Sequence, residues 1–385
     1  MKTGKEIATF SEDLKALALA QGFSAVGIAP AVTPTGYHRL LEWLQQGYHA
    51  EMHWMEQRKE ARRHPESMLP GTCSLLVVAL NYHEGTPQGE GARVSRYAWG
   101  TADYHDIVKA RLKPVAELIR RQIPAAKTRI VTDSAPLLER DFGRMAGIGW
   151  SGKNTMLISR SIGSWFFLGA LLTDAELHYD AEEDSQYCGS CTRCLEACPT
   201  QAFPEPGVLD AARCISYLTI ELRKQPIPRD LREGLGRWIF GCDICQDVCP
   251  WNRFAPSVTV PEFGPQDRLI SPDCRALLRM SADEFVQTFG DTPMSRPGYA
   301  GIRRNAAIVL GNLRDSDAEP ELVMALADES ALVRGAAAWA LCQLASPGAL
   351  DSVWCQLQKE TDIATLEDMR ASLFKVSGRV FDPDG

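Results

Sequence analysis

The chain has 385 residues, 45% of them hydrophobic and 23% charged, with a formal net charge of −8. This length and composition suit roughly two or three soluble globular domains with sizeable cores, and the acidic balance excludes the surface as a whole from non-specific polyanion binding. The longest apolar run, 165–172, is too short to cross a bilayer, so no membrane partner is expected.

At the N-terminus Phe10, Leu14, Leu17 and Ala18 fall at helical spacing among charges, predicting an amphipathic helix and no signal peptide. Up to residue 180, strand-like runs at 25–28, 74–80, 129–132 and 164–172 alternate with helical stretches at about 5–21, 37–60, 104–122 and 136–146. The pattern predicts an α/β (α+β) domain over 1–180, a sheet with helices on its faces. Arg58, Lys59, Arg62, Arg63 and His64 form a basic cluster that suits either an anion or a solvated helix face. Asp103-Tyr104-His105 starts like the D-x-H-x-x-G signature of proteins that bind cobalamin through a histidine, but Val108 occupies the glycine position. Asp133 ends the 129–132 strand, where α/β folds place ligands; local rules favour the other reading, in which Asp133 or Ser134 caps a helix begun by Pro136. Gly147, Gly149 and Gly152 match a dinucleotide fingerprint without the strand that should precede it. The same run nearly spells a phosphate loop, with Asn154 where Ser or Thr is needed.

From 181 to 256 the chain carries eight of its twelve cysteines. Cys188, Cys191, Cys194 and Cys198-Pro199 spell C-x2-C-x2-C-x3-C-P; Cys242, Cys245 and Cys249-Pro250 spell C-x2-C-x3-C-P. The first string is the run of two-cluster bacterial ferredoxins, whose fourth cysteine serves the other cluster. Cys188, Cys191, Cys194 and Cys249 are therefore assigned to one [4Fe–4S] cluster. Cys198, Cys242 and Cys245 go to a second, with Cys214 replacing the ligand that Ile239 cannot supply. A pair of zinc sites is the alternative for such C-x2-C spacing. Cys73, Cys274, Cys342 and Cys355 lie outside this spacing and are expected to be small core residues. Cluster thiols without an export signal point to the cytoplasm.

Helices are predicted at 210–220 and 228–235, and Pro256, Pro261 and Pro265 open a connector over 257–300. In the helical tail, 301–385, Ile302-Arg303, Ala306, Ala307, Leu310 and Leu313 recur as Val333-Arg334, Ala337, Ala338, Leu341 and Leu344. This is a HEAT-like repeat, or else plain paired helices, and a platform of this kind suits a large partner.

Several long strings belong together: Glu51-Met52-His53-Trp54-Met55, Ser95-Arg96-Tyr97-Ala98, Asp103-Tyr104-His105, Val131 to Arg140, Gly149 to Asn154, Cys214 to Glu221 and Gly241 to Asn252. The set closely resembles the epoxyqueuosine reductases over nearly the whole chain. The resemblance implies a cobalamin-dependent oxidoreductase that removes the epoxide oxygen of epoxyqueuosine at the tRNA wobble position. It also implies that a low-potential donor such as flavodoxin or ferredoxin feeds electrons through two [4Fe–4S] clusters to cob(I)alamin, a nucleophile toward the epoxide. A general acid is then needed at the departing oxygen, and the family's acid matches Asp133. Tyr97, Lys153, Asn154, Ser216 and Thr219 are further candidates for lining the cobalamin or the modified base. Arg58 is a further candidate, although Gln57 stands where arginine is usual. Arg303, Arg304 and Arg334 are expected to touch tRNA phosphates, with solvated helix faces as the alternative. A monomer is expected, and the second cluster is expected nearest the cobalamin because Cys214 leads directly into Ser216 and Thr219. An exported reductive dehalogenase fits less well, for want of a twin-arginine signal. An electron-transfer module on a repeat scaffold leaves the first 180 residues without a purpose.

Overall fold

Residues 74–81 read Ser-Leu-Leu-Val-Val-Ala-Leu-Asn, and all eight are buried. A strand apolar on both faces has to be covered on both, which puts it inside a sheet. In the computed structural model, which describes residues 4–85, 90–258 and 260–377, Ser74–Asn81 pairs antiparallel with Ala25–Pro30 on one side and with Phe166–Thr173 on the other. Thr128–Val131 pairs antiparallel with the free side of Phe166–Thr173 and completes a four-stranded sheet. All four strands fall where the sequence predicts them, with small shifts at the ends.

The helices are held by apolar stripes. Gly4–Ala20 buries Phe10, Leu14 and Ala18, and Tyr104–Gln122 buries Ile107, Val108, Leu112, Val115, Ala116 and Ile119. Each fully buried aliphatic side chain contributes about 1.5–3 kcal/mol. Gly27 lets the chain after Glu139–Met145 cross the sheet: a Cβ there would stand 1.9 Å from the Ala146 carbonyl oxygen. The single helix predicted over 37–60 is corrected. It is three pieces, Gly36–Gln45, His53–Gln57 and a 3-10 turn at Glu60–Arg62, with Gly47 and Ala50 in the left-handed region between the first two. Cys274 and Cys342 are buried as expected, whereas Cys73 and Cys355 are exposed.

The chain divides into two compact units. The first comprises Met1–Gly85, Gly100–Ala212 and Asp243–Gly264, and so contains the sheet; the second comprises Thr86–Trp99, Arg213–Cys242 and Pro265–Gly385. In the second, the long helices Gly298–Leu313, Ala331–Leu344 and Ile363–Ser377 pack in succession and alternate along the chain with Glu319–Ala325 and Pro347–Leu357. The repeat of two copies seen in the sequence thus gains a third long helix. Close approach depends on small residues, since a Cβ on Gly311 would lie 2.8 Å from the Ala340 Cα.

The three tail arginines expected on tRNA all have partners within this unit, and for Arg304, which is buried, the expectation is corrected. Arg304 is 1% exposed. Its guanidinium donates to the carbonyls of Leu218 (2.9 Å), Leu222 (2.6 Å) and Gln225 (3.2 Å) and to Asn305 Oδ1 (2.9 Å). Burial, reinforced by the charge of Arg232, pulls its pKa down to about 10, so it remains a cation at neutral pH. Arg303 pairs with Asp328, donates to the Leu278 carbonyl and lies over the Tyr299 ring. Arg334 grips Glu360 with two bonds of 2.6 and 2.7 Å and donates to the carbonyls of Asp328 and Glu329. The Asn305 amide reaches the carbonyls of Thr219 (2.8 Å) and Ile239 (2.9 Å), fixing both segments that lead to cysteines of this unit.

Arg304→Met, which leaves these buried acceptors unpaired, should destabilise the protein by about 3 kcal/mol. Denaturant unfolding checks this; an unchanged midpoint contradicts the role given to Arg304.

Candidate functional site

Asp133 follows Thr128–Val131 at the sheet edge, with Thr132 between them tied by its hydroxyl to the Leu168 carbonyl at 2.9 Å. Its φ of 44° lies in the left-handed region, which aspartate tolerates better than most residues but which still costs energy and tends to occur where position matters. The helix that follows starts at Glu139, not Pro136; Leu138 is its cap residue and no side chain caps it. The capping alternative for Asp133 is therefore overturned.

The Asp133 carboxylate faces the start of the Tyr104–Gln122 helix instead. Tyr104 donates its hydroxyl to Oδ2 at 2.8 Å, and His105 Nε2 lies 3.3 Å from the same oxygen. The other ring nitrogen of His105, Nδ1, is 2.6 Å from Asp103 Oδ1, and Asp103 also caps the helix by accepting from the His105 backbone N–H at 2.9 Å. Aromatic stacking fixes the pair: the Tyr104 ring lies parallel to Phe167 at 4.1 Å and stacks on His105 at 4.1 Å. Burial alone would lower the His105 pKa, but hydrogen bonds and charge from Asp133 and Asp103 outweigh it and raise the value. Behind Asp133, Glu139 Oε1 accepts from the Asp133 backbone N–H at 2.6 Å. Burial, and then the charge of Asp133, pushes the Glu139 carboxyl up to about 8, although the bond from Asp133 and the charges of Arg140 and His105 pull the other way. Asp133 thus sits among a phenol, an imidazole and a carboxyl that stays protonated at neutral pH. Tyr104, His105 and Glu139 lay in the strings already quoted, but nothing in their spacing showed that they would meet. The departure at Val108 has a packing basis, because this buried valine lies against Gly169.

In the first unit, Cys188, Cys191, Cys194 and Cys249 line one cavity of about 240 Å³. Burial, together with neighbouring cysteine charge, raises the thiols of Cys194 and Cys249. Four soft, mutually repelling thiolates around one cavity suit a cationic iron–sulfur core. Trp150 is fully buried against Cys249 and Cys188, and its Nε1–H has no partner, an orphan donor that a cluster's sulfur could accept. Cys198 and Cys245 also belong to the first unit, and Cys214 and Cys242 to the second.

The remaining candidates separate by exposure. Thr219 is fully buried: its hydroxyl donates to the Ile215 carbonyl and accepts from the Gly241 N–H, so it staples backbone. Asn154, 3% exposed, donates to the Cys245 carbonyl and, with Lys153, lines the cavity of the four cysteines. The Lys153 ammonium holds the carbonyls of Gly189 (2.7 Å) and Cys191 (3.0 Å), so this pair secures the cysteine loops. Tyr97 and Ser216 are partly exposed and Arg58 is exposed, which leaves these three open to a ligand.

Comparison with known proteins follows this geometry. Residues 62–134 match the family described as epoxyqueuosine reductase QueG, DUF1730; 187–252 match a 4Fe-4S double cluster binding domain and 298–372 match HEAT repeats. The epoxyqueuosine reductase of Xanthomonas campestris is 40% identical over 339 residues, covering 86% of this chain and 95% of that protein. The Escherichia coli enzyme is 36% identical over 340 residues, covering 86% and 89%. A crystal structure of an epoxyqueuosine reductase with an epoxyqueuosine-modified tRNA-Tyr stem loop superimposes with a TM-score of 0.88 at 31% identity, over 96% of this chain and 99% of that one. A Bacillus subtilis epoxyqueuosine reductase, in a structure with an aspartate-bearing catalytic loop swung out of the active site, gives 0.87 at 31% identity over 95% and 98%.

The raised Glu139 carboxyl makes a stability prediction. Its folded value lies above the unfolded one, so its contribution is fully present below about 4.5 and is lost as pH rises toward about 8. Glu139→Gln keeps an acceptor for the Asp133 N–H and removes the titration. The thermal midpoint of the variant should fall less than that of the parent between those limits; parallel curves contradict a protonated Glu139.

Proposed function

The chain belongs to the epoxyqueuosine reductase family and is an oxidoreductase, and we propose that it reduces epoxyqueuosine to queuosine at the wobble position of tRNA with Asp133 as the proton donor. The observation that carries this reading is the setting of Asp133, an exposed carboxyl at a strand end held between Tyr104 and His105 above a protonated Glu139. The neutral acid behind it and the phenol on Oδ2 let Asp133 alternate between acid and carboxylate without moving.

The cysteine segment is a double-cluster domain. Cys188, Cys191, Cys194 and Cys249 would hold one [4Fe–4S] cluster, and Cys198, Cys214, Cys242 and Cys245 the other. Cobalamin, when bound, supplies a low-valent cobalt nucleophile toward an epoxide carbon. His105 has both ring nitrogens engaged by carboxylates. Tyr97, Ser216 and Arg58 are the candidates for holding it. The substrate class is supported by the structural relative bearing a modified tRNA stem loop. With Arg304 buried, phosphate contacts of the tail would fall to other residues, Arg303 and Arg334 among them. Electrons come from a low-potential donor of the flavodoxin or ferredoxin class.

Anaerobically reconstituted protein, given cobalamin, a low-potential reductant and epoxyqueuosine-bearing tRNA, should yield queuosine on nucleoside analysis. Asp133→Asn should lose roughly 100-fold or more of that rate with its iron content intact. Unconverted epoxyqueuosine with the parent protein overturns the substrate; full turnover by Asp133→Asn overturns the acid.

A further inference from the structure

We propose that His105 is a positioning residue that reloads Asp133 with protons, drawing them from solvent along the line Asp103–His105–Asp133. The inference rests on the reading of Asp133 as the acid and adds the route by which it is refilled.

Stoichiometry creates the need. Turning an epoxide into an alkene and water breaks both carbon–oxygen bonds and forms one carbon–carbon double bond. It takes up two electrons, from the low-potential donor, and two protons. One carboxyl carries one proton, so Asp133 has to be recharged in every turnover.

Among the described residues, His105 is the neighbour placed to supply Asp133 once bound substrate covers the carboxylate, whose side chain is 51% exposed. Among the described contacts, the side chains around Asp133 and its immediate partners include Tyr104, His105 and Asp103 from the Tyr104–Gln122 helix and its cap, and Glu139 from Glu139–Met145. Glu139 reaches Asp133 through the backbone N–H at 2.6 Å, not through the carboxylate, so that contact offers no carboxyl-to-carboxyl transfer. Tyr104 is on Oδ2 at 2.8 Å, but a phenol holds its proton too tightly at neutral pH to serve as a relay. His105 lies between two carboxylates, with Nδ1 2.6 Å from Asp103 and Nε2 3.3 Å from Asp133. A neutral imidazole can donate from only one nitrogen, and its other lone pair would then point at a carboxylate oxygen. The arrangement is satisfied when it holds one extra proton, on the imidazole or on Asp133, and moving that proton between Nε2 and Oδ2 breaks no other contact. The far end opens to water, because the Asp103 side chain is 48% exposed. The raised pKa of His105 agrees with this arrangement.

The test is single-turnover queuosine formation across pH for the reconstituted parent, His105→Gln, Asp103→Asn and Asp133→Asn, with iron content and thermal midpoint as controls. His105→Gln should lose roughly 10- to 100-fold in rate, together with the alkaline limb that the imidazolium sets. Added imidazole should restore much of the rate in His105→Ala and none in Asp133→Asn. Asp103→Asn, which keeps the cap, should move the His105 limb to lower pH and gives a second readout if the histidine variants fold poorly. A parent-like rate and pH profile in His105→Gln, beside an inactive Asp133→Asn, overturns the relay and leaves the acid in place. A slow His105→Ala that imidazole does not rescue, with the parent's pH profile, reduces His105 to a structural part. An active Asp133→Asn removes the reading on which the relay rests.

Discussion

The first unit depends on holding one exposed carboxylate still. Asp133 stands at a strand end, with a backbone conformation that costs energy, and three side chains from two helices converge on it. A sheet that buries all eight residues of Ser74–Asn81 gives the rigid edge. The Tyr104–Gln122 helix, locked by its apolar face and by the stacking of Tyr104 on Phe167, sets the polar groups against that edge to within hydrogen-bond distance. Catalytic proton transfer needs such fixed distances, and elements buried on their far side supply them better than a free loop.

In the second unit the corresponding constraint is Arg304 with Asn305. A buried guanidinium is costly unless its donors are used, and here they are used on carbonyls at the end of the Ile215–Ile220 helix and just beyond it. Asn305 adds the backbone on either side of Cys214 and Cys242, at Thr219 and Ile239. The first long helix of the repeat is thus joined by hydrogen bonds to the segments carrying Cys214 and Cys242. A partner recognised by the tail would bear on a surface already bonded to that region.

Much of this was legible in the sequence, and the reasons differ by feature. Strands and helices followed from apolar periodicity, because burial imposes the same pattern it reveals. The double-cluster domain was legible from cysteine spacing, because chelation fixes short intervals. Arg304 misled: it looks like part of any basic helix face, and only packing tells a phosphate contact from a cation bonded to carbonyls. The backbone bonds of Thr219 were unreadable for the same reason, since a polar side chain can serve its own backbone as readily as a ligand. The network at Asp133 was unreadable because Tyr104, His105 and Glu139 come from different elements and meet only once the sheet forms. Family likeness pointed to Asp133, whereas local rules favoured a cap that the structure does not contain.

The claim at the centre is that Asp133 works beside a carboxyl that remains protonated at neutral pH. Infrared difference spectra recorded through a pH titration of the parent and of Glu139→Gln test it directly. A protonated-carboxyl band should persist at neutral pH in the parent, disappear on passing about 8, and be missing from the variant. A parent whose carboxyl bands are all ionised by pH 6, or a band that survives in Glu139→Gln, would contradict it.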